Sequence, residues 1–211
     1  MNQPDISRQT HDSPQMNGEL YAALMEEVKQ RSGAISHALS AIKNGPSDKP
    51  SYMQAEFAYL QLRYICELVA LSSLAAHHAI GLGSKLLKAW HAVDAFKLLE
   101  EVNPHCFPNS IRRAPDPMHN FQIVEGPAKL SRSDLAKIYA GCGVMLHRGV
   151  IKDVAARKQR EYDIGALDIW HRNIMELLTQ HMILVRNPDR TLFVNFSGPN
   201  GQVEVVTAIA D

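Results

Sequence analysis

A histidine followed by an arginine, His147-Arg148, closes the apolar segment GCGVML and opens a basic stretch. The cations of that stretch are Arg148, Lys152, Arg157, Lys158 and Arg160. In one interpretation His147 acts as acid or base on a phosphodiester and Arg148 stabilises the negative charge. In the other, both side chains complement the carboxyl end of a helix, and the basic stretch is a solvated or partner-docking face. Both stay open, and His147 and Arg148 are the candidate catalytic residues.

A second group of charges lies inside the longest apolar run, Tyr52–Ile80. Glu56, Arg63 and Glu67 are spaced by seven and four residues, which places them along one helical face. Charges on a largely buried helix must be paired, because desolvating one alone costs several kcal/mol. The three residues are therefore either a structural ion network or the lining of a polar binding pocket, and we favour the structural network.

The other chemistry-bearing residues form no recognisable motif. The chain has 10 histidines, but no HExxH, CxxC, G-x-S-x-G, Walker A or GxGxxG pattern occurs. We therefore expect no metal and no cofactor. The three cysteines, Cys66, Cys106 and Cys142, are odd in number and far apart. That pattern is typical of reduced, buried thiols in an intracellular protein.

Composition describes an ordinary globular chain. The 211 residues fit one domain, and 22 basic side chains balance 22 acidic ones. No overall field therefore favours nucleic acid or an anionic membrane. The polar N-terminal segment lacks the apolar core of a signal peptide, and no run is clean enough to span a membrane. We expect a cytoplasmic protein without a membrane partner.

Helical periodicity predicts the elements that would hold these residues. The expected helices are Gly18–Lys43, Tyr52–Ile80, Lys85–Val102, Ser131 to about His147, and about Asp163–Arg186. Ser131 and Asp134 form a capping-box pattern at the start of the fourth. Tyr52–Ile80 is apolar around most of its circumference, which predicts a central helix buried on nearly all sides. Gly141 and Gly143 lower helix propensity in the fourth helix, and close approach to another helix would explain them.

Near the C-terminus the spacing of apolar residues changes from the helical period to a period of two. The apolar runs Leu192–Phe196 and Gln202–Ile209 flank Asn200-Gly201, a strong β-hairpin signal. The segment NFQIVE, residues 120–125, is a possible third strand. The predicted fold is mainly α: a four- to five-helix bundle around a buried central helix, with a small C-terminal antiparallel β-hairpin. Its expected parts are a disordered tail (1–17), a helical bundle (18–187) and a hairpin (188–211) packed on the bundle or a partner subunit.

Three segments carry a first resemblance. FAYLQLRYICELVAL (57–71), NPHCFP (103–108) and KIYAGCGVMLHRG (137–149), followed by a hairpin, look like a group of uncharacterised bacterial helical proteins. The resemblance covers most of residues 50–210 and implies no established activity.

A second resemblance concerns the helical core with its polar stripe and helix-borne histidine, which is similar to HEPN domains. Some of these are metal-independent RNases of toxin–antitoxin and phage-defence systems. Their motif, Arg, four to six residues, then His, lies on a helix and works across a dimer. The nearest match is Arg113 to His119, which encloses Pro115 and Pro117. The resemblance makes Arg113 and His119 further catalytic candidates.

The sequence favours a cytoplasmic helical interaction module that binds a protein partner or itself. The apolar abundance and the exposed hairpin edge favour a homodimer. The alternative is a HEPN-like metal-independent RNase, with His147 and Arg148 as the residues to test and RNA as its partner.

Overall fold

The computed structural model describes residues 14–45, 52–77, 92–113, 121–124, 130–147, 155–156, 161–185 and 190–209. Its helices are α1 (Pro14–Asn44), α2 (Tyr52–His77), α3 (Ala92–Val102), α4 (Arg132–Leu146) and α5 (Ile164–Leu178). Its strands are β1 (Asn109–Arg113), β2 (Phe121–Ile123), β3 (Gln180–Val185), β4 (Arg190–Asn195) and β5 (Glu204–Ile209). No helix among these residues is long and apolar enough to cross a membrane.

The strands form one antiparallel sheet in the order β2-β1-β3-β4-β5. Burial alternates along β3, where His181, Ile183 and Val185 are buried, and along β4, where Leu192 and Val194 are buried. Successive side chains of a strand point to opposite faces, so one face of the sheet packs on the helices. These residues join the helices in a single hydrophobic core.

The prediction of a helical bundle with a small hairpin is wrong, because five strands spanning much of the chain form a sheet. The expected last helix, Asp163–Arg186, ends at Leu178, and Gln180–Val185 is a strand. Its run HMILV is apolar throughout, so periodicity alone cannot separate a buried strand from a helix. The other missed strand, β1, has the polar sequence NSIRR.

The C-terminal hairpin and the NFQIVE strand are present. β4 pairs with β5 and, on its other side, with β3 of the same chain. Asn200 and Gly201 have φ of 60° and 71°, the left-handed conformation that Asn-Gly supplies at low cost. The Nζ of Lys29 donates to the carbonyls of Phe196 and Gly201, which ties the hairpin to α1.

Two predicted helix starts are confirmed. The Ser131 hydroxyl accepts from Asp134 N, and the Asp134 carboxylate accepts from Ser131 N, a complete capping box. The Asp163 carboxylate accepts from Ala166 N at 2.8 Å and caps α5. Helix α1 begins at Pro14 and so includes the last four residues of the expected tail, 1–17. Outside the described residues lie the rest of that tail, the predicted end of the second helix at Ile80, and residues 85–91 of the predicted third helix.

The two glycines of α4 do allow close approach. A Cβ on Gly141 would lie 2.5 Å from Cη2 of Trp170 on α5, and one on Gly143 would lie 2.9 Å from Nη1 of Arg63 on α2. Neither position leaves room for a side chain without a shift. The Trp170 ring of α5 and the Arg63 guanidinium of α2 therefore reach the backbone of α4 at these two glycines.

Candidate functional site

The charged residues of α2 make contacts in two separate places. Arg63 Nε lies 3.5 Å from Glu67 Oε1, and Arg63 Nη2 donates to the Tyr139 hydroxyl at 2.5 Å. The Arg63 guanidinium also stacks 4.0 Å from the centroid of the Tyr139 ring. Glu56, about two turns before Arg63, accepts from the Tyr162 hydroxyl at 2.5 Å. These contacts tie α2 to α4 and to the segment before α5.

Two of the four catalytic candidates, His147 and Arg113, belong to the described part of the chain, on different elements. His147 is the exposed residue that ends α4, and its N–H donates to Gly143 O at 3.1 Å. Arg113 is the last residue of β1, opposite Phe121. Arg148 and His119 lie outside the described residues. The RNase alternative therefore stays a prediction.

Helix α5 and strand β3 each hold a buried histidine in protein contacts. His181 is fully buried; its Nδ1 donates to Leu178 O at 2.8 Å, and its Nε2 accepts from the Tyr21 hydroxyl at 2.7 Å. Burial lowers the pKa of His181 to about 4. His171 lies 2.8 Å from the Ser32 hydroxyl, and burial lowers its pKa as well. Both rings are neutral at pH 7 and link these elements to α1.

A third buried histidine ends α2. His77 Nδ1 donates to Ser73 O at 2.6 Å, and its Nε2 accepts from Asn103 Nδ2 at 2.8 Å. Asn103 also donates to Leu184 O at 2.7 Å and accepts from His105 N at 3.0 Å. Burial lowers the pKa of His77, and the buried Arg190 lowers it further. This network joins α2, the end of α3 and β3.

The cysteines are free and buried, as expected. Burial raises the pKa of Cys106 and of Cys142 to about 12 and that of Cys66 well above its usual value. A thiol nucleophile acts as the thiolate, which is scarce at such pKa values. None of the three is therefore placed to act as a nucleophile.

The surface of α2 carries an unexpected feature, which we call the α2 stripe: Met53, Phe57, Leu60, Tyr64 and Leu71. At 100° per residue these side chains lie within about 60° of one another. Leu60 is half-buried, and the exposed fraction of the others runs from 38% at Tyr64 to 64% at Met53. The prediction of a central helix buried on nearly all sides is therefore wrong for this face.

A groove runs beside the α2 stripe, between α1 and α2. It is an open depression of about 500 Å³ lined by Ala23, Glu26, Glu27, Gln30, Arg31, Ala34 and Gln61. Arg31 pairs with Glu27, donates to Gln61 at 2.7 Å, and places its guanidinium 4.6 Å from the centroid of the Tyr64 ring. Arg31 therefore holds Tyr64 in position at the border between groove and stripe.

The sheet offers a second, smaller apolar surface on the face away from the core. Phe121 and Phe193 stack there with ring centroids 5.1 Å apart. A depression of about 210 Å³ lies beside them, bordered by Ile111, Val206 and Glu204. Strand β5 forms one edge of the sheet, and most of its side chains are exposed.

Comparison with known proteins adds no relative to this picture. No family model, curated protein or solved structure matches the chain. Both resemblances seen in the sequence therefore stay predictions. Among the described residues, no three His, Cys, Asp or Glu side chains are grouped so that they could hold a metal ion.

The sequence itself carries a signal for the α2 stripe. Phe57, Tyr64 and Leu71 recur every seven residues, Met53 lies one turn before Phe57, and Leu60 lies between Phe57 and Tyr64. This is the heptad spacing by which one helix packs along another. The pattern alone does not say whether the second helix belongs to the same chain, and in the described structure no element covers it.

Proposed function

We propose that this chain is a cytoplasmic, non-enzymatic interaction module that binds a protein partner or itself through the α2 stripe. The observation that carries the proposal is the exposure of four large apolar side chains in one line on a helix whose opposite face is fully buried. Four such side chains about half exposed, together with the less exposed Leu60, present roughly 500 Å² of apolar surface. Apolar patches of that size on a monomer commonly mark binding sites.

The contacts of the titratable residues support a binding role over a catalytic one. Both ring nitrogens of His77 and of His181 form hydrogen bonds with protein groups. Arg63 is occupied by Tyr139 and Glu67, and its contacts hold helices together. The buried polar groups therefore stabilise the fold that presents α2, while the stripe has apolar area available for a partner.

Site-specific photo-cross-linking tests the proposal in living cells of the source organism. We would place benzoylphenylalanine at Phe57 or Tyr64, and, as matched controls, at Val144 or Ile169. The controls are also exposed apolar residues, but they lie on α4 and α5. We expect a defined protein adduct from each stripe position and none from the controls. Absence of any adduct at the stripe, with the protein folded and expressed, would contradict the proposal.

A further inference from the structure

We infer that the occupant of the α2 stripe is the α2 stripe of a second copy of this chain, so that two α2 helices pack across a two-fold axis. The inference rests on the proposed function and names the partner. It follows from the spacing of the stripe, from the surfaces of the other helices and from the area available.

The spacing identifies the occupant as a helix. Phe57, Tyr64 and Leu71 are separated by seven residues each. Met53 lies one turn before Phe57 and Leu60 lies between Phe57 and Tyr64, while Glu67, paired with Arg63, holds the position between Tyr64 and Leu71. A repeat of seven keeps apolar side chains on the seam between two helices, each inserting between residues of its partner. An extended peptide would require a period of two. Over residues 53–71 the seam is about 27 Å long at 1.5 Å per residue.

The other described helices offer no equivalent surface. Among the side chains that the structure describes, each of them has one exposed large apolar residue: Leu20 on α1, Val102 on α3, Val144 on α4 and Ile169 on α5. A matching line of apolar side chains is thus found on α2 alone in the described structure. Two-fold pairing, in which the same patch is used twice, is the commonest form of oligomer and needs no second kind of surface.

The available area favours a partner that also enters the groove. The stripe would contribute roughly 500 Å² from each copy, or about 1,000 Å² in total, which is just below the usual range for stable interfaces. The groove between α1 and α2 adjoins the stripe at Gln61 and Arg31. A helix lying on the stripe would cover this groove too, and the added contact raises the buried area into the usual range.

The flanking charges are compatible with a copy of the same surface. Glu27 and Arg31 already neutralise each other on one side of the stripe, as Arg63 and Glu67 do on the other. Two such surfaces therefore meet with both signs interspersed, and no block of like charge opposes pairing. Tyr64, stacked under Arg31, needs no reordering to join the seam.

Single-cysteine cross-linking tests the inference directly. The three native cysteines are buried, so they contribute little background. We would compare Leu60→Cys and Tyr64→Cys with Val102→Cys and Val144→Cys, whose side chains are exposed on α3 and α4. The purified variants, checked for folding by circular dichroism, would be treated with a short bis-maleimide at equal concentration.

We expect at least one of the two stripe variants to give about tenfold more covalent dimer than the controls, because bound thiols meet at a high effective concentration. Equal yields from stripe and control positions would overturn the inference. In the photo-cross-linking experiment, adducts of a mass other than twice the chain would also overturn it while leaving the interaction module standing. Absence of any adduct would remove the proposed function itself.

Discussion

The side-chain amide of Asn103 donates to Nε2 of His77 over 2.8 Å and at the same time to Leu184 O over 2.7 Å. Its carbonyl oxygen accepts from His105 N. One buried amide thus satisfies groups from α2, from β3 and from the loop after α3. The amide fixes the tautomer of His77, since Nδ1 carries the proton that bonds to Ser73 O.

Replacing this amide should cost more stability than replacing a similar one elsewhere. Asn103→Leu keeps the approximate side-chain volume but leaves three polar groups without their hydrogen-bond partner. Each group that water cannot reach then destabilises the fold by about 1–3 kcal/mol. We expect the free energy of unfolding to fall by about 3 kcal/mol or more in urea titrations. Asn109→Leu is the control, since the Asn109 side chain donates one hydrogen bond among the described residues, to Phe107 O at 3.1 Å. Equal losses from both variants would contradict the role of the Asn103 network.

Stability should fall in mild acid because of His181. Its pKa is lowered by burial from 6.5 to about 4, so the unfolded chain takes up the proton first as the pH falls. The contribution is complete above about pH 6.5 and is lost as the pH falls toward 4, by about 2 kcal/mol between pH 7.5 and 5. His77 and His171 act in the same direction.

Urea titrations at pH 7.5, 6 and 5 measure this dependence. His181→Asn should flatten the pH profile of the free energy of unfolding, whereas His105→Gln, on an exposed residue, should leave it as in the wild type. A His181→Asn profile as steep as that of the wild type would show that His181 does not carry the effect.

Two glycines allow opposite outcomes from the same substitution. A Cβ at Gly141 would lie 2.5 Å from the Trp170 ring, whereas one at Gly33 meets no atom within 4 Å. Gly141→Ala should lower the free energy of unfolding by about 1–3 kcal/mol through overpacking. Gly33→Ala should raise it by up to about 1 kcal/mol, the gain in helix propensity. Thermal unfolding followed by circular dichroism distinguishes them, and a stabilised Gly141→Ala would contradict the close α4–α5 contact.

The sequence predicted the local signals well because they depend on near neighbours. The Ser131–Asp134 capping box and the Asn200-Gly201 hairpin each need only a few adjacent residues. The strand Gln180–Val185 could not be separated from the preceding helix, because its apolar run fits both periods. Its identity is decided by pairing with Arg190–Asn195 and with β1, which are contacts between distant parts of the chain.

The candidate site was predicted only in part, for a similar reason. Periodicity placed Phe57, Tyr64 and Leu71 on one side of the helix, but neighbouring elements decide which side stays uncovered. Helices α1 and α4 cover other faces of α2 and leave this one exposed. Asn103 gave no sequence signal, since its partners His77 and Leu184 come from other elements.

The mass of the purified chain in solution tests the central claim most directly. Sedimentation equilibrium at micromolar concentration should give twice the chain mass of 23.5 kDa for the wild type and for the control Val144→Glu. Phe57→Glu places a charge in the apolar seam and should shift the mass toward 23.5 kDa. We expect the dissociation constant of the dimer to rise at least about tenfold. A wild type that stays at the mass of one chain, or a Phe57→Glu variant that dimerises as tightly as Val144→Glu, would contradict pairing through the α2 stripe.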